Sequence, residues 1–303
     1  MKIAAIIGAR PNFVKIAPLM AALRDRPRVQ SLLVHTGQHY DARMSDVFFS
    51  NLEIPEPDVN LDVRCDSAIG QVAEVMKRLE PILATERPDV VVVVGDVNST
   101  LAGALTAVKL GIPVAHVEAG LRSFDRSMPE ETNRVITDSI SELLFTTEAS
   151  AGENLAREGV PAARIHFVGN VMIDTLFRYR ERAQQSPVLE TLAVAPGEYA
   201  ALTLHRPSNV DNAAGFGRLL EGIARIQAEV PVVFPVHPRT RQRLLDLDGQ
   251  LPAMPGLRLA EPLPYLDFVC LMSNARCVLT DSGGVQEETT ALGVPCLTLR
   301  TNT

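Results

Sequence analysis

The segment "DVVVVVGD" (residues 89–96) constrains the fold more than any other stretch of the chain. Valine is β-branched and favours a strand, and an unbroken apolar run leaves the strand no polar face to turn to water. Such a strand belongs in a parallel sheet covered on both sides. Runs of the same kind recur in "KIAAIIGA", "SLLVHTG", "PVAHVEAG", "ELLFTTE", "RIHFVGN", "YAALTLH", "VVFPVH", "LRLAEP", "CVLTDSG" and "PCLTLR". Between them lie stretches such as "STLAGALTAVKLG", with apolar residues at helical spacing and a glycine stop. Strand–helix alternation predicts an α/β fold with a parallel, doubly wound sheet. The series is too long for one sheet, and it breaks near residues 169–198, where one charged helix and a Pro- and Ala-containing linker intervene. The reading is two Rossmann-like domains, 1–168 and 170–303, facing a central cleft. The second is expected to be incomplete, because "PCLTLRTNT" stops after a strand with no covering helix.

Composition excludes several classes of function. The 303 residues suffice for two ordinary cores, and 46% of them are hydrophobic, as in a globular protein. A net charge of −7 disfavours nucleic acid and anionic membranes, so any anionic ligand must be held by placed arginines and backbone N–H groups. No apolar run approaches the roughly 20 residues of a membrane span. The opening "MKIAAIIGARPNF" reads as a first strand, without the cleavage site of a signal peptide. Cys65, Cys270, Cys277 and Cys296 are scattered, which argues for a reducing compartment and against a structural metal. The expected location is the cytoplasm.

Nearly every expected strand ends in residues with chemistry. In "IIGARPNFVK", Gly8 permits a tight turn, Pro11 suits a first helical turn, and Arg10 and Lys15 add positive charge at a helix start. That combination suits a phosphate, although a plain turn with surface basics would look the same. "VVVVGDVNST" ends in Asp96, with Asn98 or Ser99 available to cap the next helix. "HVEAGLRS" puts His116 and Glu118 at the following strand end, and "SMPEETNR" starts a helix with Glu130 and Arg134 on one face. Asp96, Glu118 and Glu130 thus form a candidate acid cluster, and acids that share a site raise one another's pKa, which suits proton transfer. In the second half, "TLHRPSN" ends a strand with His205 and Arg206, and "FPVHPRTR" ends the next with His237. "LTDSGGVQEE" runs from a strand through Ser282, Gly283 and Gly284 into a helix. Those glycines allow backbone N–H groups to approach a phosphate, and Glu288, one turn on, can accept hydrogen bonds from ribose hydroxyls. The stretch is neither a GxGxxG nor a Walker loop, so it points to a nucleoside diphosphate without an NAD fingerprint or a magnesium P-loop.

Taken together, "GARPNFVKIAPL", "GQHYD", "VVGDVNSTLA", "IPVAHVEAGLRS", "PEETNR", "VGNVMIDTL", "LHRPSN", "PVHP" and "DSGGVQEE" resemble the non-hydrolysing UDP-N-acetylglucosamine 2-epimerases, of GT-B type fold. The stretches follow the family's order and cover essentially the whole chain. The resemblance implies an isomerase that interconverts UDP-GlcNAc and UDP-ManNAc, acts as a homodimer and needs no metal or redox cofactor. It implies elimination of UDP to 2-acetamidoglucal and re-addition with the proton on the other face. It assigns Arg10, Lys15, His205, Ser282, Gly283, Gly284 and Glu288 to UDP, and Phe268 of "PLPYLDF" to the uracil. Asp96, Glu118 and Glu130 take the acid–base roles, Arg134 orients them or the leaving phosphate, and His205 helps the departing UDP. The family's activator-site "QHR" reads "GQHYD" here, with Tyr40 and Asp41, which predicts weaker dependence on an activating second UDP-GlcNAc. A hydrolysing epimerase releasing ManNAc and UDP would use the same cradle. An epimerase of diacetamido uronic acids would need an added cation, and a GT-B glycosyltransferase would need an acceptor site.

Overall fold

The computed structural model describes residues 1–38, 49, 51–246 and 254–300, with positions 10, 207–208, 213–214, 238–239 and 245–246 described in backbone only. They form two compact units, Met1–Thr175 and Leu176–Thr303. The division falls inside the helix Val171–Ala183, a few residues beyond the 168/170 junction expected above. Thr175 Oγ1 donates to Val14 O at 2.6 Å, which ties the first turn of that helix to the first unit.

The first unit is a parallel sheet of seven strands. They are β1 (Lys2–Ile7), β2 (Gln30–His35), β3 (Val59–Asn60), β4 (Val90–Val94), β5 (Val114–Ala119), β6 (Leu143–Thr146) and β7 (Ile165–Phe167). The order is β3-β2-β1-β4-β5-β6-β7. Only β3 was not anticipated; its two residues are too short to leave an apolar signature. The valines of β4 behave as their sequence requires. Val91 and Val93 pack with Ile6, Val34 and Leu79 on one face, while Val92 and Val94 are buried on the other. Each fully buried valine contributes about 1.5–3 kcal/mol of transfer free energy. The helix Asn98–Lys109 sits close on this sheet, since a Cβ on Gly103 would lie 3.2 Å from Val93 Cγ1.

The second unit repeats the plan with five parallel strands, β8 (Ala200–Thr203), β9 (Val232–Pro235), β10 (Leu257–Ala260), β11 (Cys277–Thr280) and β12 (Cys296–Thr298), ordered β10-β9-β8-β11-β12. Leu202, Phe234 and Leu279 pack with Phe216 and Leu220 of the helix Ala213–Glu229. Ala201, Val233 and Val278 pack with Cys270, Leu271 and Met272 of the helix Tyr265–Ser273. Both units are therefore doubly wound, as expected from the sequence. No described helix is long and apolar enough to cross a membrane.

The chain reverses direction across each sheet once, between β1 and β4 in the first unit and between β8 and β11 in the second. In open parallel sheets ligands bind beyond the carboxyl ends of the strands at such a switch point.

Candidate active site

At the first switch point the turn after β1 is fastened to the end of β4. Asn12 Oδ1 accepts from the backbone N–H of Gly8 (3.2 Å) and Ala9 (3.1 Å), and Asn12 Nδ2 donates to Val94 O at 2.8 Å. Only glycine fits at position 8, because a Cβ there would lie 2.0 Å from Ser99 Oγ. Lys15 stands one turn into the helix Arg10–Arg24 and is buried, with Nζ 2.6 Å from Glu118 Oε1. The Arg10 side chain lies outside the described residues, as do Tyr40 and Asp41 of "GQHYD".

Glu118 is the next-to-last residue of β5, with φ at 71°, in the left-handed region, where the pairing with β6 shifts register. A non-glycine residue there costs on the order of 1–3 kcal/mol and persists only where its surroundings over-determine it. Its carboxylate is nearly enclosed: Oε1 meets Lys15, and Oε2 is buried without a hydrogen-bond partner. A buried acceptor left open in this way is a place for a ligand's donor.

Asp96 follows Gly95, whose φ of 68° turns the chain away from β4. Arg134 bridges two acids, with Nη2 2.6 Å from Asp96 Oδ2 and Nη1 3.1 Å from Glu131 Oε2. Asn133 Nδ2 donates to Asp96 O at 2.8 Å. Glu131 also accepts from Ser123 N (2.9 Å), Ser123 Oγ (3.0 Å) and Phe124 N (3.0 Å). Burial works to raise the Glu131 pKa, but the donors from Ser123, Phe124 and Arg134 outweigh it and hold the carboxylate below its ordinary range. Glu130 is half-buried in the same turn and makes no hydrogen bond or ion pair with Asp96, Glu118 or Arg134. The structure thus joins Lys15 to Glu118 and Arg134 to Asp96, while Glu131 takes the arginine contact. The expected cap at Asn98 or Ser99 is absent: the helix starts after Val97, and Gln38 Oε1 accepts from Ser99 N at 3.0 Å.

His116, read above as a strand-end residue, is wholly buried. Its Nδ1 lies 2.6 Å from Asp138 Oδ1 and its Nε2 2.8 Å from Gly95 O. Arg122 is equally enclosed, with Nη1 2.7 Å from Asp138 Oδ2 and Nη2 2.7 Å from Glu158 Oε2. Arg122, in the charge-rich loop after β5, is therefore paired with acids from outside that loop. Glu131, Arg134 and Asp138 were not grouped by the sequence reading, although their spacing of three and four puts them on one face of the helix Pro129–Ile140.

At the second switch point Asp281 directly follows β11 and is fully buried. It accepts from the backbone N–H of His205 (3.1 Å) and Arg206 (3.0 Å) and from Asn209 Nδ2 (3.0 Å), and His205 Nδ1 lies 2.9 Å from its Oδ1. Burial opposes the charge, but the His205 contact leads the interactions that hold the Asp281 pKa low. The His205 ring is 55% exposed. Ser282 precedes the helix Gly283–Leu292, so Gly283 and Gly284 present N–H groups of a first helical turn. A Cβ on Gly283 would lie 3.3 Å from Arg300 Nη2, so a guanidinium that the sequence reading passed over borders this turn. Glu288 is buried, and its Oε1 accepts from Tyr265 Oη at 2.9 Å. Burial pushes its pKa up to about 7, with the Tyr265 hydrogen bond opposing and the Glu287 charge adding. Tyr265 lies 23 residues away in sequence, and no local pattern pointed to it. Phe268 is half-buried and packs against the apolar cluster beneath β8 and β11, and His237 is exposed beyond β9. Among the described residues no cluster of His, Cys, Asp or Glu could hold a metal ion.

Residues 21–303 match the family described as UDP-N-acetylglucosamine 2-epimerase. The UDP-N-acetylglucosamine 2-epimerase of Methanocaldococcus jannaschii is 43% identical over 310 residues, spanning 100% of this chain and 84% of the relative. The UDP-2,3-diacetamido-2,3-dideoxy-D-glucuronate 2-epimerase of Pseudomonas aeruginosa is 43% identical over 306 residues, spanning 100% and 84%. The fold matches the crystal structure of the M. jannaschii enzyme in complex with UDP-GlcNAc and UDP with a TM-score of 0.92 at 44% identity, over 100% of this chain and 85% of that one. Because the family match spans β4, β5 and the Asp281–Gly284 turn alike, the chain belongs to the UDP-N-acetylglucosamine 2-epimerase family.

Proposed function

We propose that this chain is the non-hydrolysing form of the enzyme, interconverting UDP-GlcNAc and UDP-ManNAc through 2-acetamidoglucal. The hydrogen on carbon 2 has no adjacent carbonyl, so direct deprotonation is not a practical route. A base instead removes that hydrogen as the carbon 1–oxygen bond breaks, a carbon 1–carbon 2 double bond forms, and UDP departs with the electron pair. Re-addition delivers a proton to the opposite face of carbon 2 and returns the UDP oxygen to carbon 1. The scheme needs proton-transfer groups and a donor-rich cradle for the leaving diphosphate.

The observation that carries this reading is Glu118, a strained, buried carboxylate with one oxygen on Lys15 and the other open. In this assignment Glu118, Asp96 and Glu130 move protons, while Lys15 and Arg134 orient the acids. Arg10, His205, Ser282, Gly283 and Gly284 receive the diphosphate, with His205 steadying it as it leaves. Glu288 takes the ribose and Phe268 the uracil. A uronic acid substrate would ask for a further cation, and Lys15 and Arg134 already engage Glu118, Asp96 and Glu131.

The test is proton and phosphorus NMR of the full chain with UDP-GlcNAc in deuterated water. Intact UDP-GlcNAc and UDP-ManNAc, with deuterium gained at carbon 2, is the expected result. Accumulation of free UDP and ManNAc would replace this reading with the hydrolysing enzyme. Turnover of a diacetamido uronic acid substrate alone would reassign the sugar.

A further inference from the structure

The His116–Asp138–Arg122 cluster is used by no step above, yet it lies behind both turns that carry the acids. Asp138 and His116 are essentially sealed from solvent. Asp138 Oδ2 accepts from Gly120 N at 3.0 Å, two residues past Glu118, and pairs with Arg122. Asp138 Oδ1 holds His116 Nδ1, and His116 Nε2 reaches Gly95 O, one residue before Asp96. Gly95, Glu118 and Gly120 all have left-handed φ, at 68°, 71° and 81°. Glycine visits that region freely, but a glutamate does not, so contacts from outside the Glu118 turn must hold it there.

We propose that Asp138 is a positioning residue for the reaction, one buried carboxylate that sets the Glu118 turn directly and the Asp96 turn through His116. The inference rests on the assignment of Asp96 and Glu118 as proton-transfer groups. Misplacing a reacting group by about 1 Å can cost about 100-fold in rate. The UDP-binding residues of the second unit are separate in sequence and topology, so the loss falls on kcat.

The experiment compares Asp138→Ala and Asp138→Asn in the full chain. Asp138→Ala should lower kcat about 100-fold with KM and the UDP Kd within about threefold of native. Asp138→Asn keeps an oxygen for Gly120, and its amide can face His116 Nδ1 while His116 Nε2 still donates to Gly95 O. It should therefore restore kcat to within about tenfold of native. A native kcat in Asp138→Ala overturns the proposal, and so does an asparagine variant as impaired as the alanine one. A parallel loss of kcat, UDP affinity and Tm would also overturn it in favour of a purely structural role. If Asp138→Ala does not fold, His116→Ala leaves the Asp138–Arg122 pair in place and should still cost kcat about tenfold at constant KM; a native rate refutes the relay. Peptide-level hydrogen exchange over Gly95–Asp96 and Glu118–Gly120 separates this claim from the function itself. Should the native chain fail to epimerise, faster exchange in the alanine variant than in the asparagine variant still supports the clamp, and equal exchange rejects it.

Discussion

The two units share a topology and spend their charges differently. In the first, each cation at the switch point is held by one or two acids: Lys15 by Glu118, Arg134 by Asp96 and Glu131, Arg122 by Asp138 and Glu158. In the second, one buried carboxylate, Asp281, gathers backbone N–H groups and a histidine, and a second, Glu288, sits near neutrality under a tyrosine hydroxyl. Paired charges resist displacement, which suits groups that the proposed function uses for proton transfer. A turn of a serine and two glycines at a helix start offers backbone N–H groups, which suits the diphosphate of the proposed function. Under the proposed function the first unit supplies the proton-transfer groups and the second receives the diphosphate, a difference made by the residues at the strand ends.

Four changes test this contrast, taken from the largest expected effect to the smallest. Glu118→Gln should cut kcat on the order of 1,000-fold while the UDP Kd, by calorimetry, stays within about threefold. Retained activity would move the chemistry elsewhere. Lys15→Met strands Glu118 as a buried unpaired charge and should destabilise the chain by about 3 kcal/mol in urea unfolding followed by circular dichroism. Adding Glu118→Gln to it should recover most of that loss; an additive double variant would deny the pairing.

The third change concerns the second unit. The Glu288 pKa is raised from 4.5 to about 7 in the fold, so the folded state holds this proton more tightly than the unfolded chain does. The stabilisation is complete below about pH 4.5 and is lost as pH rises through about 7. It is on the order of 3 kcal/mol. Glu288→Gln should flatten the fall in stability over that interval, and an unchanged profile would show that Glu288 does not govern it. The smallest effect is expected at Arg157, whose pair with Glu153 is 3.1 Å long but well exposed. Arg157→Ala should change stability by no more than about 0.5 kcal/mol. A larger loss would mean that surface pairs in the first unit count as much as its buried ones.

The amino-acid sequence by itself determined the class of fold and the places where chemistry can occur. Runs such as Val90–Val94 admit only a strand covered on both faces, and strand–helix alternation then dictates parallel pairing. Strand ends are where such sheets expose polar residues, so Lys15, Asp96, Glu118, His205 and the Ser282–Gly284 turn were legible as local patterns. Tertiary structure decided which of these residues meet. Lys15 and Glu118 are 103 positions apart, Arg134 and Asp96 are 38, and no local rule links them. It chose Glu131 over Glu130 as the arginine's partner: both spacings share a face with Arg134, but the Glu131 carboxylate is also held by Ser123 and Phe124. It also buried His116, which read as a strand-end residue, and set Asp138 against it and Arg122 against Asp138. Periodicity reports burial along one element, whereas ion pairs and buried carboxylates depend on which elements the fold sets side by side.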